Sequence, residues 1–294
     1  MKKEIFKGAG TAIATPFDAN GVNYKAYNRL LEYQLQSDID AIIVCGTTGE
    51  ASTMDINEKK KLIEHTIDIV DGRTKVIAGT GGNNTKEVIE MSKFASNVWA
   101  DGILVVTPYY NKATQNGLVE HYKMVADNVN CPVIVYNVPS RTGLNITPET
   151  CKRLAEIPNI NAIKEASGNI SQVAKIAALC GNDLNIYSGN DDQIIPILSL
   201  GGKGVISVLS NVMPAYTHQM VMEYLSGNIE SARRRQLEVL DLTEALFSEV
   251  NPIPVKEALN QMGFDFGSPR MPLTPMDEEK AKVLRKSLQR HKLI

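Results

Sequence analysis

PVIVYNVPSRTG, residues 132–143, and INAIKEASGN, residues 160–169, decide how the chain is read. The first opens on a continuous run of apolar, mostly β-branched residues, the second on a run broken only by Asn161, and both close on polar ones. A strand buried on both faces reads this way, whereas a half-exposed strand alternates apolar and polar positions. Outward from this pair, the same kind of run recurs as GTAIATPF (10–17), DAIIVCG (40–46), KVIAGTG (75–81), GILVVTP (102–108), LNIYSGN (184–190) and KGVISV (203–208). The runs come roughly every 20 to 35 residues, with helical stretches such as NEKKKLIEHTIDIV (57–70) and NGLVEHYKMVADNV (116–129) between them, as successive βα units require.

Eight such units predict an α/β fold of the closed (β/α)8 TIM-barrel type over residues 1–224. A doubly wound sheet usually has fewer strands and a nucleotide-binding first turn. The glycines of GTGGNN (79–84) only faintly resemble that turn, since Asn84 stands where the third glycine belongs. Residues 225–294 carry apolar positions at helical spacing, interrupted by NPIP (251–254) and SPRMP (268–272). They predict a helical C-terminal extension docked on the barrel, with a packing or assembly role.

Composition narrows the function. The chain has 294 residues, 43% of them hydrophobic, enough for one large core. Its 31 basic and 33 acidic residues include no long basic run for a nucleic-acid backbone, so small substrates fit better. The opening MKKEIFKGAGTAIATPF lacks an apolar stretch long enough for a signal peptide or a membrane span, and a cytoplasmic location is expected. Cys45, Cys131, Cys151 and Cys180 are scattered without paired spacing, which argues against a zinc site, a disulfide framework or a redox pair. His65, His121, His218 and His291 form no metal or triad pattern, and neither metal nor cofactor is expected.

In such barrels the active site lies where the strands end, so the polar residues after each apolar run are the candidates. Lys164 follows directly on an apolar run. An ordinary lysine, with a pKa of about 10.4, offers a neutral amine in roughly one molecule in a thousand at about pH 7.4. Desolvation lowers that pKa and activates the amine for imine formation with a ketone, although a strand-end lysine can also simply snorkel to solvent. Tyr136 could carry a proton, and Arg141, five residues on, could bind a carboxylate; a core tyrosine and a surface arginine are the plainer readings. In GTTGE (46–50), glycines would let backbone amides and the Thr47 and Thr48 hydroxyls converge on a small anion. Tyr109 and Tyr110, adjacent in VTPYYN, are expected to point to opposite sides of one extended stretch.

Taken together and in order, GTTGE, VTPYYN, YNVPSRTG, INAIKEASGN, YSGNDD and GGKGVISV resemble the dihydrodipicolinate synthase and N-acetylneuraminate lyase superfamily over essentially the whole chain. The resemblance implies an eight-stranded barrel, usually assembled as a homotetramer from tight dimers, with Lys164 as the Schiff-base former and pyruvate as the shared substrate. Arg141 in SRTG and the threonine pair in GTTGE resemble the synthase branch, in which L-aspartate-4-semialdehyde is the second substrate. Small residues in place of the arginine mark the sialic acid lyases. The alternatives are another pyruvate-dependent aldolase that cleaves a sugar acid, and a non-catalytic barrel, which loss of Lys164 or Tyr136 would favour.

Several roles come from the resemblance alone. Tyr136 would shuttle protons through Thr47 to Tyr110 of the neighbouring subunit, Thr47 and Thr48 would hold the pyruvate carboxylate, and the backbone carbonyls of Gly189 and Ile206 would orient intermediates. Tyr109, Asn83 and Glu87 match a tyrosine, an asparagine and a glutamate that bind lysine as a feedback inhibitor in some members. The segment after GTTGE offers Ile56 and Lys59 where feedback-sensitive members carry histidines or similar neutral groups. A second cation in that pocket implies insensitivity to lysine.

Overall fold

The structure, a computed structural model, describes residues 2–294. Strand β1 (Gly8–Ala12) leads into a small antiparallel hairpin of β2 (Phe17–Asp18) and β3 (Gly21–Val22). The remaining strands are β4 (Ala41–Val44), β5 (Lys75–Gly79), β6 (Gly102–Val106), β7 (Val133–Asn137), β8 (Ile160–Glu165), β9 (Asn185–Ser188) and β10 (Gly204–Ser207). Apart from the hairpin they close into an eight-stranded parallel barrel in the order β1-β10-β9-β8-β7-β6-β5-β4. Each barrel strand coincides with one of the apolar runs. The first run is cut shortest: β1 stops at Ala12, and Phe17 beyond Pro16 belongs to the hairpin.

Strand alternation splits the core in two. Ile43, Ile77, Leu104, Ile134, Tyr187 and Ile206 face inward and fill the lumen, while their neighbours in sequence meet the surrounding helices. The register sets Tyr136 of β7 beside Lys164 of β8, and Lys164 beside Tyr187 of β9. Lys164 therefore stands between two inward-facing tyrosines. Among the described residues, no helix is long and apolar enough to cross a membrane.

After β10 the chain forms the helix Pro214–Leu225 and then the helices Ile229–Glu238, Leu240–Leu246, Ile253–Gln261 and Glu278–Arg290. Leu242, Leu246, Leu259, Phe266, Leu284 and Leu288 are fully buried, so this region docks through an apolar face. It also docks through charge. Lys256 donates to Glu50 Oε1 at 2.7 Å, and both side chains are only 1% exposed. Glu50 Oε2 accepts from the Arg270 backbone at 2.9 Å, and Lys256 donates a second bond to the Ser268 carbonyl. Lys256 and Arg270 both lie over the Phe17 ring, at 4.4 and 4.0 Å from its centroid, and Arg270 makes a paired contact with Glu58. Gly267 fits this seam because a Cβ there would fall 2.1 Å from the Phe17 carbonyl oxygen.

Candidate active site

A cavity of about 280 Å3 opens at the strand ends, with Thr47, Lys59, Thr80, Tyr109, Tyr136 and Arg141 in its wall. No carboxylate lines it, whereas two cationic side chains do. Such a lining favours an anionic ligand.

Lys164 is 5% exposed, and its amine lies 4.3 Å from the centroid of the Tyr136 ring. Burial holds its pKa down at about 7; the Arg141 charge adds to the fall and the Asp191 carboxylate opposes it. Near neutrality about half the molecules thus present a free amine, against roughly one in three thousand for an ordinary lysine. The space for its side chain comes from Gly189 at the end of β9, where a Cβ would stand 3.1 Å from Lys164 Cε and 2.6 Å from the Ala166 Cβ. Gly189 does carry a tight approach. Ile206 is buried in β10, among the lumen residues that include Tyr136 and Tyr187.

Tyr136 is buried, and burial raises its phenol above the usual value, partly offset by Arg141 and by a hydrogen bond with the Thr47 side chain. The phenol therefore keeps its proton at neutral pH. The glycines of GTTGE do not supply the turn's unusual backbone. Left-handed conformations fall on the flanking Cys45 (φ 57°) and Glu50 (φ 53°), and Glu50 is held there by Lys256 and Arg270. Gly79 of β5 makes room for this turn, since a Cβ would sit 2.1 Å from the Cys45 carbonyl oxygen.

Tyr109 and Tyr110 do not share one extended stretch. Tyr110 is left-handed (φ 69°), and the Asn111 amide turns back to the Tyr109 carbonyl at 2.9 Å. Tyr109 consequently faces the cavity, while Tyr110 stands 91% exposed. Within one chain, Thr47 and Tyr136 meet but Tyr110 is not brought to them. Of the residues expected around a feedback ligand, Tyr109 and Lys59 line the cavity and the other three do not. Glu87 accepts from Asn84 Nδ2 at 2.8 Å, the Asn83 carbonyl accepts from Asn111, and Ile56 is exposed at the start of the helix Ile56–Val70.

Three further groups lie outside the expected site residues. Asn251 enters from the C-terminal extension: its Nδ2 donates to Thr48 Oγ1 at 3.0 Å, and its backbone carbonyl accepts from Arg141 at 3.1 Å. Asp191 is buried next to the β10 end, where its Oδ2 accepts from the Val208 and Leu209 amides. Glu165 and Asn137, the residues after Lys164 and Tyr136, bond each other at 3.0 Å on the opposite strand faces and pin the two strand ends together. Strand alternation in YNVP and IKEA is the signal that places this pair. The histidines have separate partners, His65 with Asn28, His121 with Thr85, His218 with Asp40 and His291 with Asp241. Among the described residues no cluster of His, Cys, Asp or Glu is arranged to hold a metal ion.

This geometry agrees with what the chain resembles. Residues 5–291 match the Dihydrodipicolinate synthetase family. A 4-hydroxy-tetrahydrodipicolinate synthase of Caldicellulosiruptor bescii is 58% identical over 97% of this chain and 96% of its own length. One of Acetivibrio thermocellus is 54% identical over all of both chains. The crystal structure of a dihydrodipicolinate synthase from Thermotoga maritima superposes with a TM-score of 0.97, at 44% identity, over 99% of this chain and 100% of that one. With a buried strand-end lysine, a matching barrel and full-length similarity of this order, the chain belongs to the dihydrodipicolinate synthetase family.

Proposed function

We propose that the chain condenses pyruvate with L-aspartate-4-semialdehyde, as a 4-hydroxy-tetrahydrodipicolinate synthase on the diaminopimelate route to lysine, through a Schiff base on Lys164. The observation that carries the reading is a buried amine with a pKa of about 7 against the Tyr136 ring, beside a cavity lined by cations. The neutral Lys164 amine attacks the ketone carbon of pyruvate and water departs, leaving an imine. Loss of a methyl proton gives an enamine, whose carbon bonds to the aldehyde of the second substrate. That substrate's amine then closes on the imine carbon and releases Lys164. Tyr136 carries protons, and Thr47 and Thr48 hold the keto-acid carboxylate. Arg141 takes the carboxylate of the semialdehyde, and the carbonyls of Gly189 and Ile206 orient the intermediates. The test is a coupled assay with pyruvate and the semialdehyde, run beside sialic acid cleavage. Turnover only in the first supports the reading, and turnover only in the second replaces it with a sugar-acid lyase.

A homotetramer built from tight dimers fits the 91% exposure of Tyr110, which would complete the relay to Thr47 and Tyr136 of the neighbouring subunit. Residues 1–224 would act as the catalytic barrel and 225–294 as a helical region docked on it, with the protein in the cytoplasm.

Arg141 gives the first mutational expectation. A charge-assisted hydrogen bond contributes about 1.5 to 3 kcal/mol, so Arg141→Ala raises the KM for the semialdehyde roughly 10- to 100-fold. The KM for pyruvate should move far less, and equal changes in both would contradict the assignment. Lys59 gives the second. It lines the cavity with Tyr109 while Glu87 is turned away to Asn84. A lysine ligand at about 5 Å from this ammonium would meet a repulsion of roughly 3 kcal/mol at an effective dielectric near 20. Titrating L-lysine at saturating pyruvate should leave activity above half at about 1 mM, where an affinity is worth about 4 kcal/mol. Half-inhibition below that concentration would show that Lys59 does not block the site.

A further inference from the structure

Asn251 is 5% exposed, lies two residues before the first turn of the helix Ile253–Gln261, and touches Thr48 and Arg141, two of the three carboxylate-binding side chains of the proposed site. Its backbone carbonyl accepts from Arg141, and its side-chain amide donates to Thr48 Oγ1. The polarity of the second bond has a consequence. A hydroxyl has one proton to give, and one that accepts from an amide keeps that proton for another acceptor. Among the described residues, no protein group takes the Thr48 proton, although the Thr48 side chain is buried. Asn251 Oδ1 is likewise buried and has no partner. Turned over, the amide would set Oδ1 against Thr48 and draw the hydroxyl proton onto itself.

We propose that Asn251 is a positioning residue, whose side-chain amide holds the Thr48 hydroxyl as a donor aimed at the carboxylate of the keto acid. The inference rests on the reading of Thr48 as a contact to that carboxylate. It gives the C-terminal extension a part in substrate recognition: the side chain of Asn251 sets the keto-acid subsite, and its backbone carbonyl steadies the arginine of the second subsite.

The test is a double-mutant cycle of Asn251→Ala and Thr48→Val, with both Michaelis constants measured. Asn251→Ala removes the amide and keeps the backbone carbonyl. It should raise the KM for pyruvate roughly 3- to 10-fold, the equivalent of one neutral hydrogen bond, and leave the KM for the semialdehyde within about twofold. In the Thr48→Val background the same substitution should change the pyruvate KM by less than about twofold, because its effect runs through the hydroxyl that is already gone. An unchanged pyruvate KM in Asn251→Ala, equal rises in both constants, or full additivity with Thr48→Val would each overturn the proposal. If Asn251→Ala does not fold, Asn251→Ser, too short to reach Thr48, is read by the same criteria. Borohydride reduction of the wild type with pyruvate separates the two levels. Absence of an adduct on Lys164 sinks the underlying reading, whereas an adduct together with an indifferent Asn251→Ala sinks only the positioning role.

Discussion

Replacing Tyr136 by Phe is expected to lower kcat roughly 10²- to 10⁴-fold, the usual contribution of a positioned proton carrier. The substitution keeps the ring that sits 4.3 Å from the Lys164 amine and fills part of the lumen, so the barrel should fold and the amine should stay desolvated. What disappears is the hydroxyl that Thr47 engages. Because burial raises the phenol's pKa, the group acts as a protonated relay that gives one proton and regains another, and phenylalanine can do neither. Steady-state turnover beside a thermal melt decides the matter. A variant with the wild-type melting temperature and near-normal turnover would remove Tyr136 from the chemistry. Tyr110→Phe should be milder if Tyr110 only relays.

Lys256→Met is expected to destabilise the fold by about 3 to 5 kcal/mol, the cost of leaving one partner of a buried ion pair uncompensated. Glu50 and Lys256 are both 1% exposed, and neither can reach water when the other is removed. Burial already pushes the Lys256 ammonium towards its neutral form, against the pull of Glu50. The damage should reach the site, since Glu50 ends the GTTGE turn that carries Thr47 and Thr48. Adding Glu50→Gln to Lys256→Met removes the stranded charge while leaving an acceptor for the Arg270 amide, and it should recover a large part of the loss. Denaturant unfolding measures both variants. A single variant within about 1 kcal/mol of wild type would mean that water enters the seam.

Much of this architecture is legible in the chain. Runs such as GILVVTP and KGVISV announce strands because a parallel barrel buries both faces of each strand, which leaves an unbroken apolar signature. Lys164 stands out for the same reason, as a charge at the end of such a run. Features that depend on a single backbone angle are less visible. The left-handed turns at Cys45, Glu50 and Tyr110 fall on residues with no preference for that conformation, so glycines drew the attention in GTTGE and VTPYYN read as extended. The hairpin after Pro16 takes only Phe17 from an apolar run, and its two strands of two residues each are too short to show a periodicity. Contacts between distant segments leave no local trace at all: Asn251 lies 203 residues from Thr48 and 110 from Arg141, and NPIP reads only as helix punctuation. Its place beside the site follows from how the extension folds back over the barrel mouth.

The central claim, an imine between Lys164 and pyruvate, is tested most directly by borohydride reduction followed by peptide mass spectrometry. The expected result is a carboxyethyl group on Lys164 that appears only when pyruvate is present. Because the amine must be neutral to attack, the initial rate of adduct formation should rise with pH through about 7, where Lys164 loses its proton, and level off above it. An adduct on a different lysine, or none at all under turnover conditions, would contradict the account.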